Sequence, residues 1–194
     1  MKRILIAAAA ILCMTAPVSA QSGLGSLLGK VVGSLTQSSL SAETLVGTWK
    51  YTGSAISFKS EENALSNLAS GVAEGTLAKQ LDTYLAKVGI SSGLFGFTFN
   101  ADGTMSIQYG SRHFSGTWTL DSAASTVKMK LAGLFTATGQ VSVSGGTMQL
   151  LFDSTTLMKI IKSLTTVYNN STLQTLNSIL NQYDKMYAGF KMTK

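Results

Sequence analysis

The feature that most constrains the fold is an unbroken series of short alternating segments between residues 94 and 152. Apolar side chains occupy every second position in each segment, which is typical of a β-strand with one buried face. Turn sequences separate the segments, and those at 100–103 and 144–147 carry glycine where a tight hairpin requires it. Since strands joined by hairpins are antiparallel neighbours, the pattern predicts an antiparallel meander.

Two more alternating segments lie outside this meander. The first runs from Leu45 through Trp49 and continues to 58 after a break at Gly53, and the last covers 188–193. A strand isolated at the C-terminus needs a partner, and the first strand offers an open edge. Pairing the two would close the sheet. We therefore predict a mostly β fold with helical additions, built as an up-and-down antiparallel barrel of about eight strands.

Helical spacing of leucines predicts the additions to this barrel. Residues 60–89 form an amphipathic insertion after the first strand, in two short pieces divided at Gly75, with capping residues at 60–63. Glu74 and Asp82 fall on the polar side of these pieces. Two further helices, at about 154–168 and 171–186, precede the last strand. All of them are positioned along the chain where they could cover one end of the barrel.

The first twenty residues have the pattern of a secretory signal peptide. A short basic start, an apolar run and small residues at 18–20 predict cleavage before Gln21. Cys13 invites a lipoprotein interpretation, but Leu12 stands where a lipobox requires a small residue, so we expect an ordinary cleaved signal. The protein is then exported, to the periplasm or the cell exterior. Residues 45–194 form a single barrel domain, preceded by a leader at 21–44.

The leader is rich in glycine, leucine and serine and has one apolar helical face. Its apolar residues between 24 and 35 recur at helical spacing, and three glycines form a ridge at every fourth position. Two interpretations stay open. The leader packs on its own domain or frays, or its ridge contacts a second copy or a membrane surface.

Composition excludes several classes of function. The formal net charge falls from +6 to +4 once Lys2 and Arg3 are removed, and the remaining lysines are scattered. With a single arginine in an exported chain, we expect no nucleic-acid partner. His113 is the sole histidine, the chain after residue 20 has no cysteine, and no nucleophile or phosphate-loop motif occurs. We expect no enzymatic activity, no cofactor and no metal site.

Three short motifs carry a resemblance to a known family. They are Leu-x-Gly-Thr-Trp at 45–49, Phe-x-Phe-Asn-x-Asp-Gly-Thr at 97–104 and Gly-Thr-Trp-Thr-Leu at 116–120. In this order they resemble the lipocalin and calycin barrels, and more narrowly the secreted bacterial lipocalin-like domains of unknown function. The resemblance implies that Trp49, after Gly47, packs across the closed end of the barrel beneath a basic residue, for which Lys191 is the candidate. The chain departs from lipocalins in lacking their Thr-Asp-Tyr motif and disulfide and in its extra helices.

The inward face of the predicted barrel is the candidate binding site. In a barrel of eight strands this interior is either filled by side chains or holds one small ligand, and both alternatives stay open. The first hypothesis is a non-catalytic protein that binds a small hydrophobic molecule. The second is a structural or interaction protein of the envelope with a filled core, acting through its leader or its helical lid. The candidate ligand-binding residues are Phe97, Phe99, Met105, Ile107, Tyr109, Phe114, Trp118 and Met129.

Overall fold

The alternating segments form a closed β-barrel in the computed structural model. The structure describes residues 40–58, 64–131, 133–165, 170–183 and 186–194, with side chains for all of these except 64–73 and 170. The predicted signal peptide and the part of the leader before residue 40 lie outside the described residues.

Eight antiparallel strands, each paired with the next, make up the barrel, and the last closes on the first. This confirms the predicted architecture and the pairing of the two outlying strands. The strands are β1 (Gly47–Phe58), β2 (Phe95–Phe99), β3 (Thr104–Tyr109), β4 (Arg112–Asp121), β5 (Thr126–Leu131), β6 (Phe135–Ser144), β7 (Thr147–Asp153) and β8 (Met186–Thr193).

Strand β1 is longer than the neighbour that follows it in the barrel. It pairs with β2 only over 47–50, whereas its pairing with β8 extends from Lys50 to Phe58. The break predicted at Gly53 is a shift in register between Tyr51 and Gly53, which is the geometry of a β-bulge. Beyond the bulge, residues 54–58 have a strand partner on one side only.

The two ends of the barrel differ in what covers them. At the closed end, hairpin loops at 100–103, 122–125 and 145–146 accompany a short helix, α1 (Ala42–Leu45), which leads into β1. The other connections emerge at the opposite end, which we call the helical end. There lie α2 (Ala64–Lys87) between β1 and β2, and α3 (Ser154–Leu164) and α4 (Asn170–Leu180) between β7 and β8.

Helix α2 is a single helix of 24 residues, not the two short pieces predicted from Gly75. A glycine inside a helix costs only about 1 kcal/mol relative to alanine. Leu77, Leu81 and Leu85 are each buried, and burying a leucine contributes about 1.5–3 kcal/mol. Their packing outweighs the cost of Gly75, so the helix continues. The predicted capping residues at 60–63 lie outside the described residues.

Helices α3 and α4 are shorter than predicted, ending at Leu164 and Leu180. The Asp153 side chain caps α3 by accepting a hydrogen bond from the backbone N–H of Thr156. Strand β8 starts at Met186, two residues before the predicted strand. The reason is that its pairing with β1 continues as far as Phe58. Among the described helices, none is long and apolar enough to cross a bilayer.

The core is continuous from the strands to the helices and has Phe190 of β8 at the centre of an aromatic cluster. Its ring centroid lies 4.9 Å from that of Phe95, 5.8 Å from Phe97 and 6.1 Å from Tyr51. Aromatic rings at these separations interact beyond their area burial. These rings therefore occupy the barrel interior in the described structure.

Candidate ligand-binding site

Trp49 closes the end of the barrel opposite the helices. Its ring is fully buried, and its indole N–H donates a hydrogen bond of 2.7 Å to the carbonyl oxygen of Leu45, the last residue of α1. The Lys194 ammonium lies 4.9 Å from the ring centroid and donates to the carbonyl oxygen of Thr44 at 3.2 Å. Gly47 leaves room for this lysine, since a methyl group there would lie 3.1 Å from its Cε atom.

The basic residue over Trp49 is thus Lys194, and the expectation that Lys191 takes this place is corrected. Phe190 and Met192 are buried, so the alternation of β8 turns Lys191 outward, where it is exposed. A lysine on the outer face cannot reach a ring inside the barrel. The chain provides the cation only at its last residue, after the strand has ended.

Six of the eight predicted interior residues are buried, with at most 6% of their surface exposed. Trp118 differs from the others in its position. It lies at the closed end, packed on Phe99 with ring centroids 5.2 Å apart, and its N–H donates to the carbonyl oxygen of Asn100 at 3.0 Å. The six buried residues are Phe97, Phe99, Met105, Ile107, Trp118 and Met129.

The other two predicted interior residues, Tyr109 and Phe114, are only half-buried. They flank the connection between β3 and β4 at the helical end. The Tyr109 hydroxyl donates to the carbonyl oxygen of Val88, just past the end of α2. The Phe114 ring lies 4.8 Å from the Arg112 guanidinium carbon. Both side chains pack against the core while part of their surface remains open to solvent, so they mark a rim at the helical end.

A polar cluster formed by Tyr51, Ser54 and Asp82 joins α2 to the inner side of β1. One carboxylate oxygen of Asp82 accepts hydrogen bonds from the Tyr51 hydroxyl at 2.7 Å and from the backbone N–H of Ser54 at 2.6 Å. The hydroxyls of Tyr51 and Ser54 lie 3.1 Å apart. The bulge near Gly53 presents the Ser54 N–H to the helix instead of to a strand, so the carboxylate satisfies a donor that β2 does not reach.

The surroundings of Tyr51 keep its hydroxyl protonated. Burial, and then the hydrogen bond to Asp82, raise the pKa of Tyr51 well above its usual value. The hydroxyl therefore acts as the donor to the carboxylate throughout the physiological range. Its role in this arrangement is to hold α2 against β1.

Glu74 and Asp82, predicted to fall on the polar side of the insertion, both contact the barrel and are partly buried. Glu74 accepts from the backbone N–H of Phe58 at 3.3 Å, so both carboxylates bond to donors on the part of β1 that has no partner on β2. The apolar stripe through Leu81 and Leu85 identifies the packed face of α2, and Asp82 lies at its edge. What could have revealed Asp82 is Ser54, a polar residue directly after the break in an otherwise apolar face.

The large hydrophobic side chains that remain exposed all lie at the helical end of the described structure. Leu94 is 49% exposed, Tyr183 41% and Leu134 38%. They precede β2, follow α4 and lie between β5 and β6, respectively. The closed end carries no such side chain among the described residues.

Among the described residues at the helical end, histidine and carboxylate side chains do not form a common site. His113 is exposed on β4 opposite Gln108, apart from the cluster of Tyr51, Ser54 and Asp82. Within the described ranges, no three histidine, cysteine or acidic side chains come together as a group that could hold a metal ion. The arrangement at this end is one of apolar surface, one polar cluster and a covering helix.

An eight-stranded antiparallel barrel, closed by a Gly-x-Trp segment at one end and covered by helices at the other, defines a lipocalin-like protein. The chain belongs to the family of lipocalin-like domains designated DUF4923, which matches residues 24–194. This confirms the resemblance drawn from the three motifs.

One solved structure similar to this chain is that of a DUF4847 family protein from Bacteroides vulgatus. The two chains are 17% identical, with 77% of this chain and 93% of that chain covered and a TM-score of 0.38. A comparison with curated proteins finds no match.

Proposed function

We propose that the protein is a non-catalytic binding protein that admits a small apolar molecule at the helical end of its barrel, with α2 as a movable lid. The observation that carries this proposal is the pairing of β1. Because residues 54–58 have no partner on β2, a helix packs there in place of a strand. A helix can move away from this position without breaking a β-ladder.

Polar contacts from the described part of α2 and the residue after it hold the lid to the barrel. Asp82 bonds to Tyr51 and Ser54, Glu74 bonds to Phe58, and the carbonyl of Val88 accepts from the rim. Leucines of the described part of α2 add apolar attachment, since they share one core with the strands. Contacts of this kind can be exchanged for contacts with an apolar ligand, since burial of apolar surface is not directional.

The energy of lid movement limits the kind of ligand. Exposing Leu77, Leu81 and Leu85 costs about 4.5–9 kcal/mol in total, at about 1.5–3 kcal/mol for each leucine. A ligand compensates by burying its own surface, which contributes about 0.8 kcal/mol for each methylene. About six to eleven methylenes therefore offset the cost. This favours a medium-length acyl chain or a molecule of similar apolar area, entering between the rim and the lid.

Replacing Asp82 with alanine is expected to strengthen the binding of a fluorescent naphthylamine probe about tenfold or more. The substitution removes a charge-assisted contact worth about 1.5–3 kcal/mol. Because this contact exists only when α2 is closed on β1, its loss favours the open state that binds the probe. The measurement is a fluorescence titration of the full chain, with decanoate as the competitor. The same variant is expected to lose stability, which chemical denaturation will show.

Asp121→Ala is the matched control. Asp121 also accepts a hydrogen bond from a backbone N–H, that of Ala124, but it is exposed at the closed end. We expect this variant to bind the probe as the wild-type protein does. The proposal fails if both variants remain folded and neither they nor the wild type bind the probe.

A second candidate function is an interaction role in the envelope, with a permanently filled barrel. The packing of Phe95, Phe97 and Phe190 favours it. In this case the lid does not move, and the protein acts through its helical end or through contacts of residues 24–35 with another copy or a membrane surface. The probe titration separates the two candidates. Both assume export through a cleaved signal at 1–20, to the periplasm or beyond the cell.

A further inference from the structure

A groove between α3 and α4 lies outside the barrel and is separate from the lid. Its volume is about 440 Å³, which is within the size range of ordinary ligand sites. Met158, buried apart from 5% of its surface, contributes apolar surface to it. The other lining residues are polar, namely Thr155, Lys159, Lys162, Ser163, Asn177 and Asn181.

The two walls of this helix groove are held in place relative to each other. The Ser154 hydroxyl donates to the carbonyl oxygen of Leu180, which ties the start of α3 to the end of α4. Directly after α4, the side-chain amide of Asn181 donates to the side-chain oxygen of Asn177 at 3.0 Å. This bond leaves the amide N–H groups of Asn177 as available donors. Buried leucines and isoleucines of both helices support the walls from beneath.

The charge in the groove has one sign. Lys159 and Lys162 are exposed and three residues apart on α3, so their side chains are neighbours on the helix surface. No carboxylate is among the groove's lining residues. Two neighbouring ammonium groups repel each other, and an anion bound between them removes that repulsion.

From this donor set we infer that the helix groove binds the phosphate group of an organic phosphate. A phosphate monoester carries a charge of about −1.5 to −2 at neutral pH and three acceptor oxygens. Those oxygens match the two ammonium groups together with the amide of Asn177 and the hydroxyl of Ser163, which lies one turn from Lys159. Thr155 is about 12 Å from Ser163 along α3 and borders the groove beyond the phosphate. The carbon part of the ester lies against Met158.

A carboxylate fits the groove less well than a phosphate. It has only two oxygens and one charge, and the planar arginine fork that selects carboxylates is missing from the lining residues. Lysine binds phosphate as a point charge and does not require a planar partner. The donors here are also spread over two helices, which suits a tetrahedral group better than a planar one.

The outer wall of the barrel provides a matched site for comparison. Lys128 and Lys130 are exposed on β5 and border a smaller depression of about 180 Å³ with Thr117 and Thr119. It too has two lysines and two hydroxyls, but it lacks the amide and the second helical wall. If phosphate binding depends only on local positive charge, replacing the two lysines of either site should weaken it by the same amount.

The test compares Lys159→Gln/Lys162→Gln with Lys128→Gln/Lys130→Gln in the full chain, by calorimetric titration with inorganic phosphate and with glycerol phosphate. Both double variants change exposed side chains and should keep the wild-type melting temperature. We expect the first variant to bind glycerol phosphate at least about tenfold more weakly than the wild type, and the second to bind it about equally well.

A second experiment, with lipid vesicles, distinguishes a soluble organic phosphate from a lipid headgroup as the ligand. Sedimentation with phosphatidylcholine vesicles that contain phosphatidic acid, whose headgroup is a phosphate monoester, against pure phosphatidylcholine vesicles shows whether the groove accepts a lipid headgroup. Loss of either glycerol phosphate or phosphatidic acid binding in Lys159→Gln/Lys162→Gln alone supports the inference and assigns the source. Absence of binding to all three phosphates, or equal weakening in the two double variants, overturns it.

Discussion

Replacing Trp49 with alanine is expected to lower the free energy of unfolding by about 3–5 kcal/mol, a typical cost for removing a large buried aromatic side chain. The ring is fully buried and joins α1 to the barrel through its hydrogen bond to Leu45. Its loss leaves a cavity at the closed end and an acceptor without its donor. Chemical denaturation of the full chain measures the change. Trp49→Phe, which keeps a ring but not the N–H, should lose less.

The lysine above the ring provides the control for this account of the closed end. Lys194→Met removes the cation from Trp49 and is expected to cost about 0.5–1 kcal/mol. Lys191→Met changes an outward side chain on the same strand and should cost less than about 0.5 kcal/mol. A larger loss in Lys191→Met than in Lys194→Met would contradict the arrangement at the closed end.

Replacing Phe190 with alanine is expected to cost a similar amount, about 3–5 kcal/mol, because the ring lies at the centre of the aromatic cluster. It contacts rings on three other strands, including Phe152 of β7 at 6.2 Å between centroids. Removing the ring creates a cavity. The neighbouring strands cannot move inward to fill it, because their hydrogen-bonded ladders hold them in place. Denaturation of the variant measures this loss.

Leu94→Ala is the matched control for Phe190→Ala. It also removes a large apolar side chain, but one that is 49% exposed at the helical end, so its cost should stay within about 0.5 kcal/mol. If the two variants lose similar amounts, the interior around Phe190 is not packed. That result would favour an open barrel that holds a ligand without any movement of α2.

The barrel itself could be predicted from the sequence because its strands and turns are each recognisable from neighbouring residues in the chain. Alternation marks each strand, and glycine marks every hairpin except the one at 122–125. A leftover strand at each end of the domain requires the other as its partner. The closure of β8 on β1 follows from that requirement and needs no knowledge of side-chain contacts. The positions of the helices along the chain follow from their spacing in the same way.

The identity of the cation over Trp49 could not be predicted because it depends on where β8 ends. Alternation with Phe190 and Met192 places Lys191 on the outer face, but the sequence does not show that β8 ends at Thr193 and that Lys194 turns over the ring. The resemblance to lipocalins supplied the expectation of a basic partner, but it could not choose between two lysines three residues apart.

The polar cluster at the lid was missed for a different reason. Asp82 on α2 and Ser54 on β1 are far apart in the sequence, and each alone has an ordinary explanation as a solvated residue. Their contact depends on the bulge near Gly53, which leaves a backbone donor facing the helix. The division of α2 at Gly75 was predicted wrongly for a similar reason. The cost of a glycine to helix stability can be estimated from the sequence, but the leucine packing that outweighs it cannot.

The central claim is that α2 moves when an apolar ligand enters. Amide hydrogen exchange of residues 74–88 in the full chain, with and without saturating decanoate, tests it most directly. The account predicts faster exchange along this stretch when decanoate is bound, while the amides of β7 and β8 stay protected. Decanoate that binds with exchange in α2 unchanged would contradict a movable lid.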